Sequence, residues 1–533
     1  MKKLSIRLIA LILAVVMLSG CGLLEEYQRL QALYYGAETA FSDMEYQRPD
    51  LDDFLACQQQ CLALAEAGTD LDALVKAISA TYDAYDHFFT QYTLAHIHSC
   101  MDMSDSYWVK EYDWCLEASY EMDAGLDRML YALADSPLRE ELEDEDLFGP
   151  GYFDAYQGDS LWDEEMTAML EEESKLIGRY EELLMELPDW DDPAYGDAAM
   201  ELADLYAELI VLRQEQADWA GYEDYVAFAN DFYYGRDYTP RQEQAYLEQI
   251  RQRLAPLYRQ VSAMDPADLG SEWAGERQTF RYVAQAAENM GGMVAEAFDV
   301  MERLELYDIS PGQNKYPASF EVYLWDYDLP FAFVDPEESN YDHLSFAHEF
   351  GHFCNDYASY GTMLNIDSAE VLSQGMEYLT LCYADDGGAL TRMKMADSLC
   401  TYVEQAAYSA FEQAAYGLTG AELTGENLMD LYEEVTAGYG FDAWEYDGTE
   451  MVGITHLYSY PCYVFSYVVS NDAAMQIYQM ELEDPGAGLA LYEENLTASA
   501  WSLGEFLEEA GLESPFAENR LDAVEEIFRQ TFG

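Results

Sequence analysis

His348-Glu349-Phe350-Gly351-His352 decides the reading of this chain. On a helix, residues four apart stack on one face, so this spacing lets two imidazoles grip one metal ion with a carboxylate beside the first. The chain holds only seven His, and two of them at this spacing around a Glu would arise by chance in roughly one such sequence in a hundred. Two His do not close a tetrahedral zinc site. A third protein ligand is required, and a catalytic metal keeps a fourth position open to water.

Downstream, Ser368-Ala369-Glu370-Val371-Leu372-Ser373-Gln374-Gly375-Met376-Glu377-Tyr378 has helix-forming character, with positions 370, 373 or 374, and 377 on one face. This predicts Glu377 as the third ligand. Glu370, two turns earlier, is expected to accept a ring N–H from a liganding His. Glu349 projects about 100° away from His348 on a helix. That leaves it free to act as the general base, passing a proton from water to the leaving amine. A structural zinc fits less well, since such sites favour Cys and fill all four positions. Upstream, SFEVYLWDYDLPFAFVD over Ser319 to Asp335 alternates with period two and is rich in aromatic and β-branched residues. A strand or hairpin is therefore expected directly before the helix that begins at Asp342. It could pair with an extended peptide or serve only to cap a core.

These separated elements together resemble the oligoendopeptidase F and thimet oligopeptidase type of metallopeptidases. Asp342 matches the approach to the motif, residues 348–352 the motif, and Glu370 through Glu377 the segment that supplies the third ligand. A weaker match is RQEQADWAGYEDY, with Arg213, Ala217, Gly221, Tyr222 and Tyr225. The segment Thr455 to Tyr467 resembles the family's His- and Tyr-rich stretch facing the zinc. By that resemblance His456 and Tyr463, followed by Tyr460 and Tyr467, contact the substrate and the oxyanion. The resemblance implies a mainly α, bowl- or clam-shaped body with a deep channel, a small sheet beside the active-site helix, one zinc ion and oligopeptide substrates. Two departures stand out: the chain is shorter than typical oligoendopeptidases F, and its N-terminus reads as an export signal in a mostly cytosolic group.

That N-terminus has Lys2, Lys3 and Arg7, then an apolar run from Leu8 to Leu18, then Leu18-Ser19-Gly20-Cys21. The run is too short for an ordinary membrane span. The Leu-Ser-Gly-Cys ending resembles a bacterial lipobox, which makes residues 1–20 a signal peptide and Cys21 the lipid attachment site. The mature protein is then expected outside the cytoplasm, at the cell surface or in the periplasm, held to a membrane by the anchor. Eight further Cys establish no disulfide pairing. Cys57 and Cys61, one turn apart, read as packing on a helix face.

A formal charge of -79 accompanies 50% hydrophobic residues. This describes a folded acidic surface rather than disorder, and one that repels nucleic acid. Apolar residues at three- and four-residue spacing predict long helices over 51–80, 161–187 and 197–220. Pro and Gly gather at breaks near 135–137, 149–151, 188–193 and 311–312. The expected organisation is an N-terminal helical region over 21–200 and a catalytic domain over 201–533. His96 and His98, in an apolar aromatic stretch, read as helical packing residues; His87 joins no constellation, and His343 reads as part of a helix start. The expected activity is zinc endopeptidase cleavage of short peptides. A metallocarboxypeptidase or dipeptidyl carboxypeptidase on the same scaffold is the alternative, and a non-catalytic peptide-binding lipoprotein stands behind it.

Overall fold

Residues 51–80, periodic throughout in sequence, fold as parts of two helices, α1 (Leu51–Ala67) and α2 (Leu71–Met101). Gly68 ends α1 in the left-handed region at φ 55°, and Asp70 caps α2 by accepting the Ala73 N–H. The computed structural model describes residues 39–533 apart from 145–146, 157–163, 363, 386 and 442–446. The expected signal peptide and Cys21 lie outside the described residues.

Helix α3 (Ser106–Ala134) packs with α1 and α2 around a small core, with α4 (Glu164–Met185) beside it. The division expected at residue 200 falls inside α5 (Tyr195–Ala220), which is continuous through that point. A second core lies between α4, α5 and the segment around Tyr458. The largest core surrounds the metal-binding motif. There, α6 (Glu276–Met290) and α7 (Gly292–Arg303) back α8 (Asp342–Ser359), and α8 packs against α9 (Ile366–Tyr383). Helix α9 is buried along almost its whole length, lying also against α10 (Gly387–Ala415) and α12 (Phe465–Glu483). The short α11 (Thr455–Ser459) precedes α12.

The period-two segment forms a hairpin, as its alternation predicts. Strand β2 (Phe320–Leu324) runs antiparallel to β3 (Leu329–Phe333) across a tight turn with Asp328 at φ 49°. Strand β1 (Tyr307–Asp308) adds in parallel, giving the order β1-β3-β2 and leaving β2 at an edge. Helix α8 lies on β3, so the motif helix rests on the sheet. On its other side α2 is pinned to the hairpin turn: Thr90 Oγ1 accepts the Asp326 N–H at 2.8 Å, and His87 Nδ1 pairs with Asp326 Oδ2 at 2.6 Å. Between α2, α3, α4, the β2 edge and the α8–α10 layer runs a channel of about 1840 Å³. The mainly helical body, the small sheet and the deep channel are as expected.

Candidate metal centre

Helix α8 divides by face. Leu344, Phe346, Ala347, Phe350, Phe353 and Cys354 enter the core, while Ser345, His348, Glu349, His352, Asn355 and Asp356 line the channel. Its start is fixed by Asp342, whose carboxylate accepts the backbone N–H groups of Glu337 and Ser339 at 2.9 and 3.2 Å. Gly351, inside the motif, has a packing reason. A Cβ there would meet Ser373 Cα at 2.6 Å and the Leu372 carbonyl oxygen at 2.9 Å. Only glycine lets α8 and α9 approach this closely, and the approach carries the carboxylates of α9 to the histidines.

The carboxylate brought between the two imidazoles is Glu370. Its Oε2 lies 3.2 Å from His348 Nε2 and 3.7 Å from His352 Nε2. The candidate ligand atoms of His348, His352 and Glu370 all fall within 4.8 Å of one another, the one such group among the described residues. Glu377 instead accepts from His348 Nδ1 at 2.8 Å. The roles expected for Glu370 and Glu377 are therefore exchanged. Both share the same face of α9, and helical spacing does not say which turn of α9 meets which end of the imidazole. Glu377 Oε2 is held by Lys394 Nζ at 2.6 Å. With Nδ1 committed to Glu377, Nε2 is the His348 atom that faces the ligand position, and a metal bound there would displace its proton.

Electrostatics support that arrangement. Burial drives the His352 imidazole down to about 4, so it is neutral as a ligand must be. Burial opposes charge on Glu370, yet His348 and His352 together with the Tyr463 hydroxyl hold it down at about 2. Burial also opposes charge on His348, but Glu370 and Glu377 overcome it and hold the ring well above its ordinary value. Burial pushes Glu349 up to about 8, against the pull of His348 and helped by Glu370 and Glu377.

Across the channel stands the α11–α12 segment. Tyr467 faces His348 with ring centroids 6.4 Å apart, and its hydroxyl lies 3.4 Å from His456 Nε2. Burial lowers His456 to about 4, so it is neutral. Tyr463 donates to Glu370 Oε1 at 2.6 Å. Its hydroxyl thus lies against the carboxylate of Glu370. Tyr460 is 54% exposed and lines the channel near His456.

Several supports of this arm escaped the sequence reading. Arg213, noted only as part of a weak resemblance, is fully buried; its guanidinium donates to the carbonyls of Leu457 and Tyr458 beside His456 and to Glu173. Arg236 donates to the Cys462 carbonyl and Ser466 Oγ, Tyr234 to the Pro461 carbonyl, and the Cys462 N–H to Glu412. A lone Arg among helical residues carries no periodic signal, so only the folded structure reveals these partners. The remaining His are structural: His96 stacks between Tyr112 and Phe320, and His343 meets Thr279 and Tyr282. All eight described Cys are free; Cys61 is buried in the small core and Cys57 half-buried on the same helix.

Residues 41–159 match the Peptidase M3 N-terminal domain. No curated protein sequence matches the chain. Among solved structures, one described as an oligoendopeptidase F superposes with a TM-score of 0.81 at 20% identity, covering 93% of this chain and 98% of that one. The fold is that of oligoendopeptidase F. PZ peptidase A, solved with an inhibitor, has this fold too, with a TM-score of 0.80 at 17% identity over 92% of this chain and 100% of its own. So, more distantly, has an M32 carboxypeptidase from Deinococcus radiodurans R1, with a TM-score of 0.53 at 13% identity over 90% and 100% of the two chains. The oligoendopeptidase F fold therefore spans essentially the full described chain, with the candidate ligands His348, His352 and Glu370 in its channel.

Proposed function

We propose that this protein is a zinc-dependent peptidase that hydrolyses internal bonds of oligopeptides. The observation that carries the proposal is the convergence of His348, His352 and Glu370 on one point, with Glu349 alongside and Tyr467 opposite, inside a channel open to a peptide chain. The donors fit zinc: two imidazoles and one carboxylate oxygen, with His348 backed by Glu377 and Glu370 by Tyr463. Bound there, zinc would supply Lewis acidity and lower the pKa of a water molecule toward about 7. Glu349 takes the proton released as the water attacks the peptide carbonyl and returns it to the leaving amine. Tyr467 presents a hydroxyl to the carbonyl oxygen as it gains charge, with His456 fixing the direction of that hydroxyl. The β2 edge, whose Phe320, Glu321 and Val322 line the channel, offers unpaired backbone groups to an extended substrate.

Internal cleavage is favoured over carboxypeptidase action by the state of the channel's cations. A free terminal carboxylate needs an available cation, but Lys394, the buried cation beside the candidate ligands, is taken up by Glu377 and Asp397. A pure binding role leaves Glu349 without a purpose. Export and membrane attachment through Cys21 complete the proposal; no helix among the described residues is long and apolar enough to cross a membrane. The test is mass-spectrometric mapping of cuts in a mixed oligopeptide library, with Glu349→Gln and chelator controls. Internal cuts lost in both controls support the reading. Cuts confined to C-terminal residues transfer it to the carboxypeptidase alternative, and zinc binding without turnover transfers it to the binding protein.

A further inference from the structure

Behind the metal centre, Glu377 is gripped at both oxygens. His348 Nδ1 lies 2.8 Å from Oε1, and Lys394 Nζ lies 2.6 Å from Oε2. The Lys394 side chain is 2% exposed. Its ammonium also reaches Asp397 Oδ2 at 2.8 Å and sits 4.9 Å from the centre of the Tyr378 ring. Asp397 Oδ1 in turn accepts the Tyr341 hydroxyl at 2.9 Å, and Tyr341 stands on the channel wall just ahead of α8. A continuous chain of charge-assisted hydrogen bonds therefore runs from Tyr341 through Asp397, Lys394 and Glu377 to the rear of His348. It ties α10 and α9 to α8 at His348.

We propose that Lys394 is a positioning residue that sets the affinity of the metal centre by fixing the orientation of Glu377, and through it the ring of His348. This rests on the zinc reading above. A carboxylate held at one oxygen rotates about its terminal bond; held at both, it presents Oε1 in one direction. With that direction fixed, the His348 ring plane is fixed, and Nε2 points where Glu370 Oε2 and His352 Nε2 also point. Lys394 is the right cation for this place. A compact ammonium can serve two carboxylates at once, Asp397 three residues on in α10 and Glu377 on α9, beside the Tyr378 ring.

The experiment is equilibrium competition between the full-length protein and a chelating dye for zinc. It is carried out on the parent, Lys394→Met, Glu377→Gln and the double variant, with thermal unfolding as the control for folding. Lys394→Met is expected to weaken zinc binding about 10- to 100-fold. The double variant is expected to bind zinc no more weakly than Glu377→Gln alone, because Lys394 acts only through Glu377. Unchanged affinity in Lys394→Met, or a loss that adds in full to that of Glu377→Gln, overturns the proposal. A parent that binds no zinc overturns the metal reading itself and is thereby distinguished. If Lys394→Met does not fold, Asp397→Asn is measured in the same way. It is expected to give a smaller weakening that vanishes in the Glu377→Gln background, and no weakening overturns the proposal.

Discussion

Gly351→Ala tests whether the approach of two helices, and not the motif residues alone, makes the metal centre. An added Cβ would stand 2.6 Å from Ser373 Cα, 2.9 Å from the Leu372 carbonyl oxygen and 3.1 Å from Met376 Cβ. Two of these are backbone atoms of a helix buried on nearly every side, so no side-chain rotation relieves them. Ordinary contact would require α8 and α9 to separate by roughly 1 Å, and overpacking of this kind costs about 1–3 kcal/mol. Alanine recovers up to about 1 kcal/mol of helix propensity over glycine, so the net loss of unfolding free energy is expected to be at most about 2 kcal/mol when that gain is full. The larger effect falls on the metal. Glu370 rides on α9, and ligand distances tolerate only about 0.2 Å, so zinc affinity is expected to fall at least tenfold while the helix content is retained. Urea unfolding of the metal-free protein gives the first quantity and chelator competition the second. A Gly351→Ala protein with the parent's stability and zinc affinity would show that α9 yields freely, and would refute the reasoning.

Glu349→Gln is expected to lower kcat by 10²-fold or more while zinc stoichiometry stays at one per chain, as read by peptide hydrolysis and metal analysis. Glu370→Gln is expected to remove measurable zinc binding, whereas Glu377→Gln weakens it by about 10- to 100-fold; the reverse order would restore the assignment made from spacing alone. Tyr467→Phe is expected to reduce kcat about 10²-fold with little change in KM, and Tyr463→Phe to act mainly on zinc affinity, as steady-state kinetics and metal titration would separate. Glu321 and Asp356 form a half-buried acid pair on the channel wall: desolvation raises Asp356 to about 7 and, with the neighbouring carboxylates, Glu321 well above its ordinary value. Groups raised in the folded state contribute stability that is present below pH ~4 and lost as pH rises through ~7, so Glu321→Gln is expected to stabilise by about 1–3 kcal/mol at pH 8 and by much less at pH 5, read from unfolding curves at both values.

The legible part of the site was the part written in local periodicity. Four-residue spacing placed His348 and His352 on one face, two-residue alternation placed the hairpin before α8, and Asp342 marked the helix start. What spacing leaves open is which residue of a buried helix meets which atom of its neighbour. Glu370 and Glu377 lie two turns apart on the same face and both touch His348, one at Nε2 and the other at Nδ1. Only the registration of α9 on α8, set by contact at Gly351, separates the ligand from its support. The same limit explains Tyr463. Sequence placed it in the facing segment, but the 2.6 Å bond to Glu370 depends on the path of a loop in which Cys462 adopts φ 64°.

The buried cations carry this further, because they are where the acidic composition and the site meet. A chain with 104 acidic and 25 basic residues has few cations to spare, yet Arg213, Arg236, Lys315, Lys394 and Arg520 are all buried. Burying a charge is costly unless it is paired and fully hydrogen-bonded, so each must be held by several partners. Each of them fastens a different element framing the channel. Lys315 bonds Asp308 and the Val334 carbonyl, joining β1 to the end of β3. Arg213 holds the carbonyls after His456, and Arg236 the loop before α12. Arg520 grips Asp472 within α12, and Lys394 grips Glu377 in α9. On a surface of like charges, exposed carboxylates repel and contribute little to any one geometry. The interior cations therefore do what surface ion pairs cannot: they fix sheet, loop and helices to one another around the metal centre. Removing one of these cations strands buried acceptors in the elements that frame the channel, a cost that falls on the packing of those elements.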